Sequence, residues 1–434
     1  MKILVIGSGG REHAIVWALR KTAERPVTIY CAPGNAGTAQ LAKTVSIPVS
    51  DHAGLISFVK TEGIDLTFVG PEAPLVAGLV DEFESAGLLV VGPTAAAARL
   101  EGSKVFAKDF MARHQIPTAC YRTATSPEEA LEHLRSLEFG SPETPVVVKA
   151  DGLAAGKGVI VAKNHAEAER AISDLMIAHV AGGDAASRIV LEEALEGLEA
   201  SLLLFADGND YVLMPAARDH KRIGEGDTGP NTGGMGSITE SSILSDKQLK
   251  EIVSEIVQPT LQGASSEGFP FKGVLFLGLM LTNSGPKLLE YNVRLGDPET
   301  QAILVRLKTN LTAIFDAIRR GTLGKMTVEW ADGASACVVA ANRGYPGKYE
   351  SGAVIEGCKD VGIAGVEVFH AGTSLSSTGE LLATGGRVLG VTAAAESLSA
   401  ALAACYSALE NIHWSGMQFR RDIGKSKPAF GTAG

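Results

Sequence analysis

Short apolar segments alternate with helical patterns over the first hundred residues, and this alternation restricts the chain to few folds. The predicted strands are Lys2–Ile6, Val27–Ala32, Asp65–Val69 and Leu88–Val91. Strands and helices that alternate in this way predict a doubly wound α/β unit with a parallel sheet. Because the alternation stops near residue 102, we expect an N-terminal domain over residues 1–102 that binds a substrate.

The turn after the first strand partly matches a dinucleotide-binding fingerprint. Gly7 and Gly9 fit the pattern Gly-x-Gly-x-x-Gly, but Glu12 occupies its third position and no acid closes the second strand. A nicotinamide or flavin site, and with it a Rossmann dehydrogenase, is therefore not expected. A helix N-terminus after a glycine turn binds anions, so Gly9 and Gly10 are candidates for a phosphate-bearing substrate. A tight turn without a ligand is the alternative.

The loop after the third predicted strand contains one acidic candidate, Glu72. Ligands of open α/β sheets bind beyond the carboxyl ends of the strands. Glu72 is therefore predicted to bind a substrate hydroxyl.

A glycine-rich segment follows the β-branched strand Pro145–Lys149. It is not a Walker A loop, because three residues rather than four separate Gly152 from Gly156 and because Gly158 replaces the magnesium-binding Ser or Thr. We interpret it as a flap between two strands, whose backbone N–H groups cover a triphosphate while Lys149 supplies a charge. A loop without a ligand is the alternative.

The strand Ile189–Glu193 and the turn after it carry a set of residues suited to a nucleoside. A purine needs an apolar slot with a few polar partners, and a ribose needs a carboxylate for its hydroxyls. Glu192, Glu193, Leu195 and Glu199 supply these groups at suitable spacing. Ordinary acidic surface is the alternative for this segment on its own.

A predicted hairpin further along the chain carries the best candidate for a cation site. The strand Val274–Thr282 and the turn Asn283–Pro286 lead into a second strand that contains Glu290 and Asn292, with Arg294 next in line. Side chains two apart share one face of a strand. A carboxylate and a carboxamide suit Mg²⁺, and a guanidinium beside them would meet charge on a transferring phosphoryl group. A hairpin whose polar face meets solvent is the alternative.

Composition narrows the class of protein. A length of 434 residues exceeds one ordinary core, and a net charge of −10 argues against a nucleic-acid partner. Five cysteines without a Cys-x-x-Cys spacing favour reduced thiols. No apolar run reaches eighteen residues, and the N-terminus becomes polar too soon for a signal peptide. We expect a cytoplasmic protein with no membrane partner.

Several phrases, taken in order, resemble the ATP-grasp superfamily and, within it, the phosphoribosylamine–glycine ligase (glycinamide ribonucleotide synthetase) family. These sequence motifs are GGREHA, APGNAGT, GPEAPL, LEGSK, VVKADGLAAGKGV, DHKR, GDTGPNTGGMG and NVRLGDPETQ. The resemblance implies an α/β protein with an N-terminal doubly wound (pre-ATP-grasp) domain, followed by a two-part ATP-grasp α+β domain over 103–327 with a mobile flap at about 122–190. The change of pattern from Val328 onward predicts a small C-terminal α+β domain, residues 328–434, for which we derive no chemistry.

The resemblance also implies a function. Family members are monomeric purine-biosynthesis enzymes that join glycine to 5-phosphoribosylamine with ATP, and we expect glycyl phosphate as the intermediate and Mg²⁺ or Mn²⁺ as the metal. Lys108, which by its own pattern is a solvated lysine on an amphipathic helix, would then bind the ATP phosphates.

The resemblance assigns roles to individual residues. Contacts to ATP are implied for Lys108, Lys149, Gly152, Gly156, Lys157, Gly158, Glu192, Glu193, Leu195 and Glu199. Metal ligands are implied at Glu290 and Asn292, and catalytic roles are predicted for Arg294, Asp219 and Lys221. Substrate contacts are predicted for Gly9, Gly10, Glu72, Asp227, Asn231 and Asp297.

One departure and two alternatives accompany this interpretation. Other ATP-grasp families bring a further acid from the first hairpin strand, but Val274–Leu281 contains none, which leaves the ligands of any second magnesium open. Another ATP-grasp carboxylate–amine ligase would share most of the motifs. A non-catalytic nucleotide-binding protein would be expected to lack Arg294, Lys149 or Glu290, and all three are present.

Overall fold

A computed structural model describes residues 1–154, 158–178, 186–358 and 363–425. Within these ranges, no helix combines the length and the apolar character needed to cross a membrane.

The N-terminal part forms a parallel five-stranded sheet in the order β3-β2-β1-β4-β5. Its strands are β1 Lys2–Gly7, β2 Thr28–Pro33, β3 Lys43–Thr44, β4 Leu66–Val69 and β5 Val90–Val91. Its helices are α1 Gly10–Lys21, α2 Thr38–Leu41, α3 His52–Glu62, α4 Glu72–Val76, α5 Leu79–Ser85 and α6 Ala95–Gly102. The central strand β1 is buried from Ile3 to Gly7, as expected for a strand covered by helices on both sides. The predicted doubly wound sheet is confirmed.

A second, antiparallel sheet has the order β6-β9-β7-β8. The preceding helix α7 Lys104–Arg113 packs its apolar residues into a different core. The elements of this sheet are β6 Tyr121–Ala124, α8 Pro127–Arg135, β7 Val146–Ala150, β8 Val159–Ala162, α9 His165–Met176 and β9 Ile189–Glu193. Ala168, Ile172 and Leu175 of α9 are buried in a core that this sheet shares with α8. The unit therefore has its own hydrophobic core.

The largest sheet continues through the rest of the chain in the order β17-β16-β10-β12-β15-β18-β23-β20. Its first part contains β10 Leu198–Asp207, β11 Tyr211–Leu213, β12 Ala217–Asp219, β13 Arg222–Gly224, β14 Thr228–Asn231, β15 Gly236–Thr239, β16 Lys272–Thr282 and β17 Gly285–Asn292. The helices of this part are α10 Asp246–Ile252, α11 Gln258–Ser266, α12 Glu299–Leu304 and α13 Leu311–Arg320.

The C-terminal part extends the same sheet, because β15 pairs antiparallel with β18. Its elements are β18 Ala334–Asn342, β19 Ala353–Val354, β20 Val366–His370, β21 Thr373–Leu375, β22 Leu381–Ala383, β23 Arg387–Ala395, α14 Leu398–Leu409 and β24 Met417–Gln418. Backbone hydrogen bonding thus joins the C-terminal strands directly to the part of the molecule that carries the predicted cation site.

Candidate active site

The predicted hairpin is formed by β16 and β17, which pair antiparallel. Tyr291 and Val293 are buried, whereas Glu290, Asn292 and Arg294 are partly exposed on the opposite face. The alternation of side chains along an extended chain places these three polar groups together. The expectation that they share a face is confirmed.

Gly278 lies opposite Glu290 in this hairpin, where the register shifts by one residue. A methyl group on Gly278 would lie 3.2 Å from Cγ of Glu290. The strand that lacks an acidic residue thus presents a glycine at this point, and the Glu290 side chain lies over it.

Four cationic side chains surround the Glu290 carboxylate. Burial favours its protonated form, but Lys221, Lys149, Lys104 and Arg294 together lower the pKa of Glu290 below its usual value. Glu290 is therefore an anion, and the cations gathered around it can also contact the oxygens of a polyanionic ligand. Lys104 was not predicted, because a lysine at the start of an amphipathic helix resembles any solvated lysine.

The donor atoms of Glu290 and Asn292 fit a hard cation. Asn292 Oδ1 accepts one hydrogen bond from Arg294 Nη2 at 3.0 Å, which leaves the oxygen a second lone pair. Among the residues that the structure describes, no three His, Cys, Asp or Glu side chains form a metal-binding group. The pair suits Mg²⁺, which is usually held by one or two carboxylates and completed by water and phosphate oxygens.

Lys108 and Lys149 converge on one buried carboxylate. Lys108 Nζ lies 3.1 Å from Glu192 Oε2, and Lys149 Nζ lies 2.8 Å from Glu192 Oε1. Burial lowers the pKa of Lys108 to about 8, although Glu192 opposes this change. The expectation from the helical pattern that Lys108 is solvated is wrong: only 2 % of the residue is exposed.

The other predicted nucleoside contacts have partners within the protein. Glu193 Oε1 accepts hydrogen bonds from Cys120 N at 3.0 Å and from Lys287 Nζ at 3.1 Å. Glu199 pairs with Lys221 at 3.0 Å and raises the pKa of this lysine. Leu195 is partly exposed in the turn between these two acids. The carboxylates of Glu192 and Glu193 are thus engaged by the protein, so their adenine role stays a prediction.

The glycine-rich segment begins at Asp151, which sequence reasoning missed. Its Oδ1 accepts hydrogen bonds from Ser103 Oγ and Val105 N, both at 2.8 Å, and Arg188 Nη2 lies 2.6 Å from its Oδ2. Asp151 therefore ties the start of the loop to the start of α7. Gly152 O accepts a hydrogen bond from Lys104 Nζ at 3.3 Å.

The rest of the predicted flap is only partly described. The backbone O of Gly158 accepts a hydrogen bond from Ala150 N at 2.7 Å, which closes the base of the loop. Gly156 and Lys157 lie outside the described residues.

Arg294 connects the hairpin to the N-terminal part of the chain. Its Nε lies 3.2 Å from Glu72 Oε2, and its Nη2 lies 3.1 Å from Glu101 Oε1. Glu101 Oε2 also accepts a hydrogen bond from Val293 N at 2.7 Å. Glu72 is thus paired with this guanidinium, and its predicted contact with a substrate hydroxyl stays a prediction. Glu101 was not predicted at all.

The turn after β1, which was predicted to bind an anion through Gly9 and Gly10, already contains a carboxylate of the protein. Gly9 N donates a hydrogen bond to Glu12 Oε2 at 2.6 Å, so the carboxylate of Glu12 caps its own helix. The backbone N–H of Gly9 is therefore already satisfied by Glu12. Glu12, the residue that departs from the dinucleotide fingerprint, therefore stabilises the start of α1 by accepting this hydrogen bond.

A cavity of about 380 Å³ opens beside this turn. Its lining comes from the N-terminal sheet, the loop after the hairpin and the C-terminal part, and consists of Ser8, Gly9, Gly34, Asn35, Asp297, Ala371, Gly372, Thr373, Thr384 and Arg387. The structure thus brings together the predicted residues Gly9 and Asp297, and Gly10 lies next to them in the chain.

Arg387 is the main residue of this cavity that sequence reasoning missed. Its Nη2 lies 3.4 Å from Asp297 Oδ2, and Gln301 Nε2 donates to Asp297 Oδ1 at 2.8 Å. No chemistry was derived for the C-terminal part, yet Arg387 shows that it contributes a charged side chain to the cavity. No sequence motif connects Arg387 with Asp297.

The remaining predicted residues have different surroundings. Burial, together with nearby Glu299, raises the pKa of Asp219 well above its usual range. Asp227 instead pairs with Arg420 at 2.9 Å, and Asn231 lies in β14 opposite Arg222. Lys221 therefore belongs to the charged surroundings of the hairpin, Asp219 lies near Glu299 and Lys221, and Asp227 has a structural partner.

Family comparisons cover most of the chain. Phosphoribosylglycinamide synthetase profiles match over residues 1–101 (N domain), 102–300 (ATP-grasp domain) and 335–426 (C domain). The chain belongs to the phosphoribosylglycinamide synthetase family. The resemblance derived from the motifs is thus confirmed.

Similar proteins support this membership over the full length. The phosphoribosylamine–glycine ligases of Vibrio parahaemolyticus and Escherichia coli K12 are 50 % and 49 % identical over 98 % of both chains. A crystal structure of phosphoribosylamine–glycine ligase from Thermotoga maritima covers 97 % of this chain and 100 % of its own, with a TM-score of 0.83 and 36 % identity. The biotin carboxylase domain of Hydrogenobacter thermophilus 2-oxoglutarate carboxylase, solved with MgADP, covers 96 % of this chain and 91 % of its own (TM-score 0.69, 17 % identity) and shows the shared fold alone.

Proposed function

We propose that this protein uses ATP to join glycine to 5-phosphoribosylamine, producing glycinamide ribonucleotide, ADP and phosphate. The observation that carries the proposal is the Glu290 carboxylate, which has Asn292 beside it and four cations around it, in a chain that matches phosphoribosylamine–glycine ligases over almost its whole length. A carboxylate that can hold a metal ion, with cationic side chains beside it for phosphate oxygens, suits a metal-bound triphosphate.

The first step activates glycine. Its carboxylate oxygen attacks the γ-phosphorus of ATP, the bond to the ADP oxygen breaks, and glycyl phosphate forms. Lys108 and Lys149 bind the phosphates, and Arg294 stabilises the charge of the transferring group. Mg²⁺ or Mn²⁺ held by Glu290 and Asn292 would neutralise phosphate charge when bound.

The second step forms the C–N bond. The amine nitrogen of phosphoribosylamine attacks the acyl carbon, phosphate leaves, and the nitrogen loses a proton. Holding both reactants together lowers the barrier by up to about 7–11 kcal/mol in favourable cases. The glycine-rich segment that begins at Asp151 would shield the acyl phosphate from water.

The cavity beside the first turn suits the phosphoribosyl end of the acceptor. Gly9, Gly10 and Asp297 are the predicted residues at this place, and Arg387 adds a guanidinium that can attract a phosphate. Arg387 is held by Asp297 at 3.4 Å, so both charges are positioned before the substrate arrives.

Three further features belong to the proposal. The domain boundaries are placed at 1–102, 103–327 and 328–434, with the flap at about 122–190. The protein acts as a monomer, and it acts in the cytoplasm.

The test is ADP release by the purified protein with Mg²⁺ and freshly generated phosphoribosylamine, with and without glycine. We expect glycine-dependent turnover that Glu290→Ala and Arg294→Ala abolish and that Lys247→Ala, a change in an exposed helical pair, leaves intact. Equal turnover without glycine, or with alanine in its place, would refute the substrate assignment. A panel of other acceptor amines separates this ligase from related ATP-grasp enzymes.

A further inference from the structure

Two walls of the cavity come from distant parts of the chain, and the Asn35 side chain is hydrogen-bonded to both parts. Asn35 Nδ2 donates a hydrogen bond to Ser8 O at 2.8 Å and another to His370 O at 2.7 Å. Ser8 lies in the turn after β1, whereas His370 ends β20 and directly precedes the C-terminal wall. Asn35 itself lines the cavity.

The orientation of the Asn35 amide is fixed from both ends. Its Oδ1 accepts hydrogen bonds from Gly37 N and Thr38 N, both at 2.9 Å. Its nitrogen then faces backbone carbonyl oxygens only: those of Ser8 and His370, and that of Gly9 at 3.4 Å. An aspartate of the same shape would keep the contacts of Oδ1 but would place an oxygen against those carbonyls.

The His370 backbone is bonded to the N-terminal part on both of its polar groups. Its N–H donates to His13 Nδ1 at 2.8 Å, while its carbonyl oxygen accepts from Asn35. His13 lies on α1, one turn after Gly10. The C-terminal wall is therefore held in place by the same elements that form the opposite wall.

From this geometry we propose that Asn35 is a positioning residue for the phosphoribosyl end of the acceptor. It sets the distance between the Ser8–Gly9 turn and the wall that carries Ala371 to Thr373, and it takes no part in the chemistry. This inference depends on the proposed function, because it concerns the site of the same acceptor. Changes at Asn35 therefore affect acceptor binding and leave ATP binding unchanged.

The test compares the wild-type protein with Asn35→Asp. We expect the KM for phosphoribosylamine to rise about tenfold or more, as expected for the loss of at least one net hydrogen bond and a new repulsion, while the KM for ATP changes less than about twofold. Calorimetric titration with ribose 5-phosphate should show the same weakening without turnover. The matched control is Thr22→Val, since Thr22 Oγ1 accepts a hydrogen bond from Leu311 N at 3.0 Å away from the cavity; both KM values should stay unchanged.

The outcomes separate the two hypotheses. An unchanged KM for phosphoribosylamine in Asn35→Asp, or equal changes in both KM values, overturns the positioning role in an active enzyme. Absence of glycine-dependent turnover in the wild-type protein overturns the proposed function itself. If Asn35→Asp does not fold, Asn35→Ala removes the hydrogen bonds to Ser8 and His370 without adding an oxygen. The KM for phosphoribosylamine must then rise while the KM for ATP stays unchanged.

Discussion

Replacement of Lys108 by methionine should stabilise the protein and weaken nucleotide binding at the same time. Lys108 is 2 % exposed, and burial lowers its pKa from 10.5 to about 8. Since a change of one in pKa corresponds to about 1.4 kcal/mol, the charged lysine lowers the free energy of unfolding by about 3 kcal/mol. Methionine removes this cost and Glu192 Oε1 keeps Lys149 at 2.8 Å, while the loss of Lys108 from Glu192 Oε2 offsets part of the gain.

The sign of the effect depends on pH. Below pH 8 the lysine is charged in the folded and unfolded states, so the cost of burying it is fully present. Between pH 8 and 10.5 the folded state loses the proton first, and the cost disappears as the pH rises. Lys108→Met should therefore be more stable than wild type by up to about 3 kcal/mol at pH 7, and this advantage should vanish near pH 10.5.

Urea denaturation at pH 7 and pH 10 measures the stability, and calorimetric titration with MgADP measures the affinity. We expect the affinity for MgADP at pH 7 to fall by about tenfold or more, because one of the cations for the phosphates is lost. Lys247→Met, in an exposed pair with Glu251, is the control and should change stability by less than about 0.5 kcal/mol. A variant that is less stable than wild type at both pH values, with unchanged affinity for MgADP, would refute the reasoning.

Three further predictions concern the hairpin and the contact between the N-terminal and C-terminal parts. Glu290→Gln keeps the volume but removes the anionic ligand, so the Mg²⁺ concentration for half-maximal ADP release should rise about tenfold or more; an unchanged Mg²⁺ requirement would contradict the metal role. Burial raises the pKa of Glu101 although Arg294 opposes this change, so Glu101→Gln, which keeps the shape and removes the buried charge, should increase the free energy of unfolding at pH 7; a less stable variant in urea would contradict this expectation. Burial and the neighbouring His370 lower the pKa of His13 to about 3, and burial lowers that of His370 to about 4. Because the unfolded state binds protons below pH 6.5, stability should fall with decreasing pH by up to about 1.4 kcal/mol per pH unit for each histidine; His13→Phe should reduce the slope by up to the contribution of one histidine, and an unchanged slope would disprove the assignment.

Local patterns were sufficient for much of the candidate site. Glu290, Asn292 and Arg294 share a face because side chains alternate along an extended chain, and this rule needs no knowledge of the rest of the fold. The first sheet followed from the alternation of strands and helices. The glycine-rich segment after Lys149 was recognised from the spacing of its glycines directly after a β-branched strand.

Long-range packing decided what these patterns left open. A helical pattern cannot tell whether Lys108 faces solvent or a buried carboxylate, because its partner Glu192 lies on a strand 84 positions later. The same holds for Glu101, which reaches Arg294 only when α6 packs beside the hairpin. Gly9 does line the cavity, as its predicted role in substrate binding requires. Its backbone N–H, however, was expected to bind a ligand, and in the structure it donates to Glu12.

The sequence by itself therefore determined the doubly wound sheet, the polar face of the hairpin and the family, since each of these depends on residues close together in the chain. Only the tertiary structure decided that Asn35 and Arg387 line one cavity, that two lysines share Glu192, and that the C-terminal strands extend the ATP-grasp sheet. The physical reason is that such contacts depend on how sheets pair and helices pack across hundreds of residues, and this information has no local pattern.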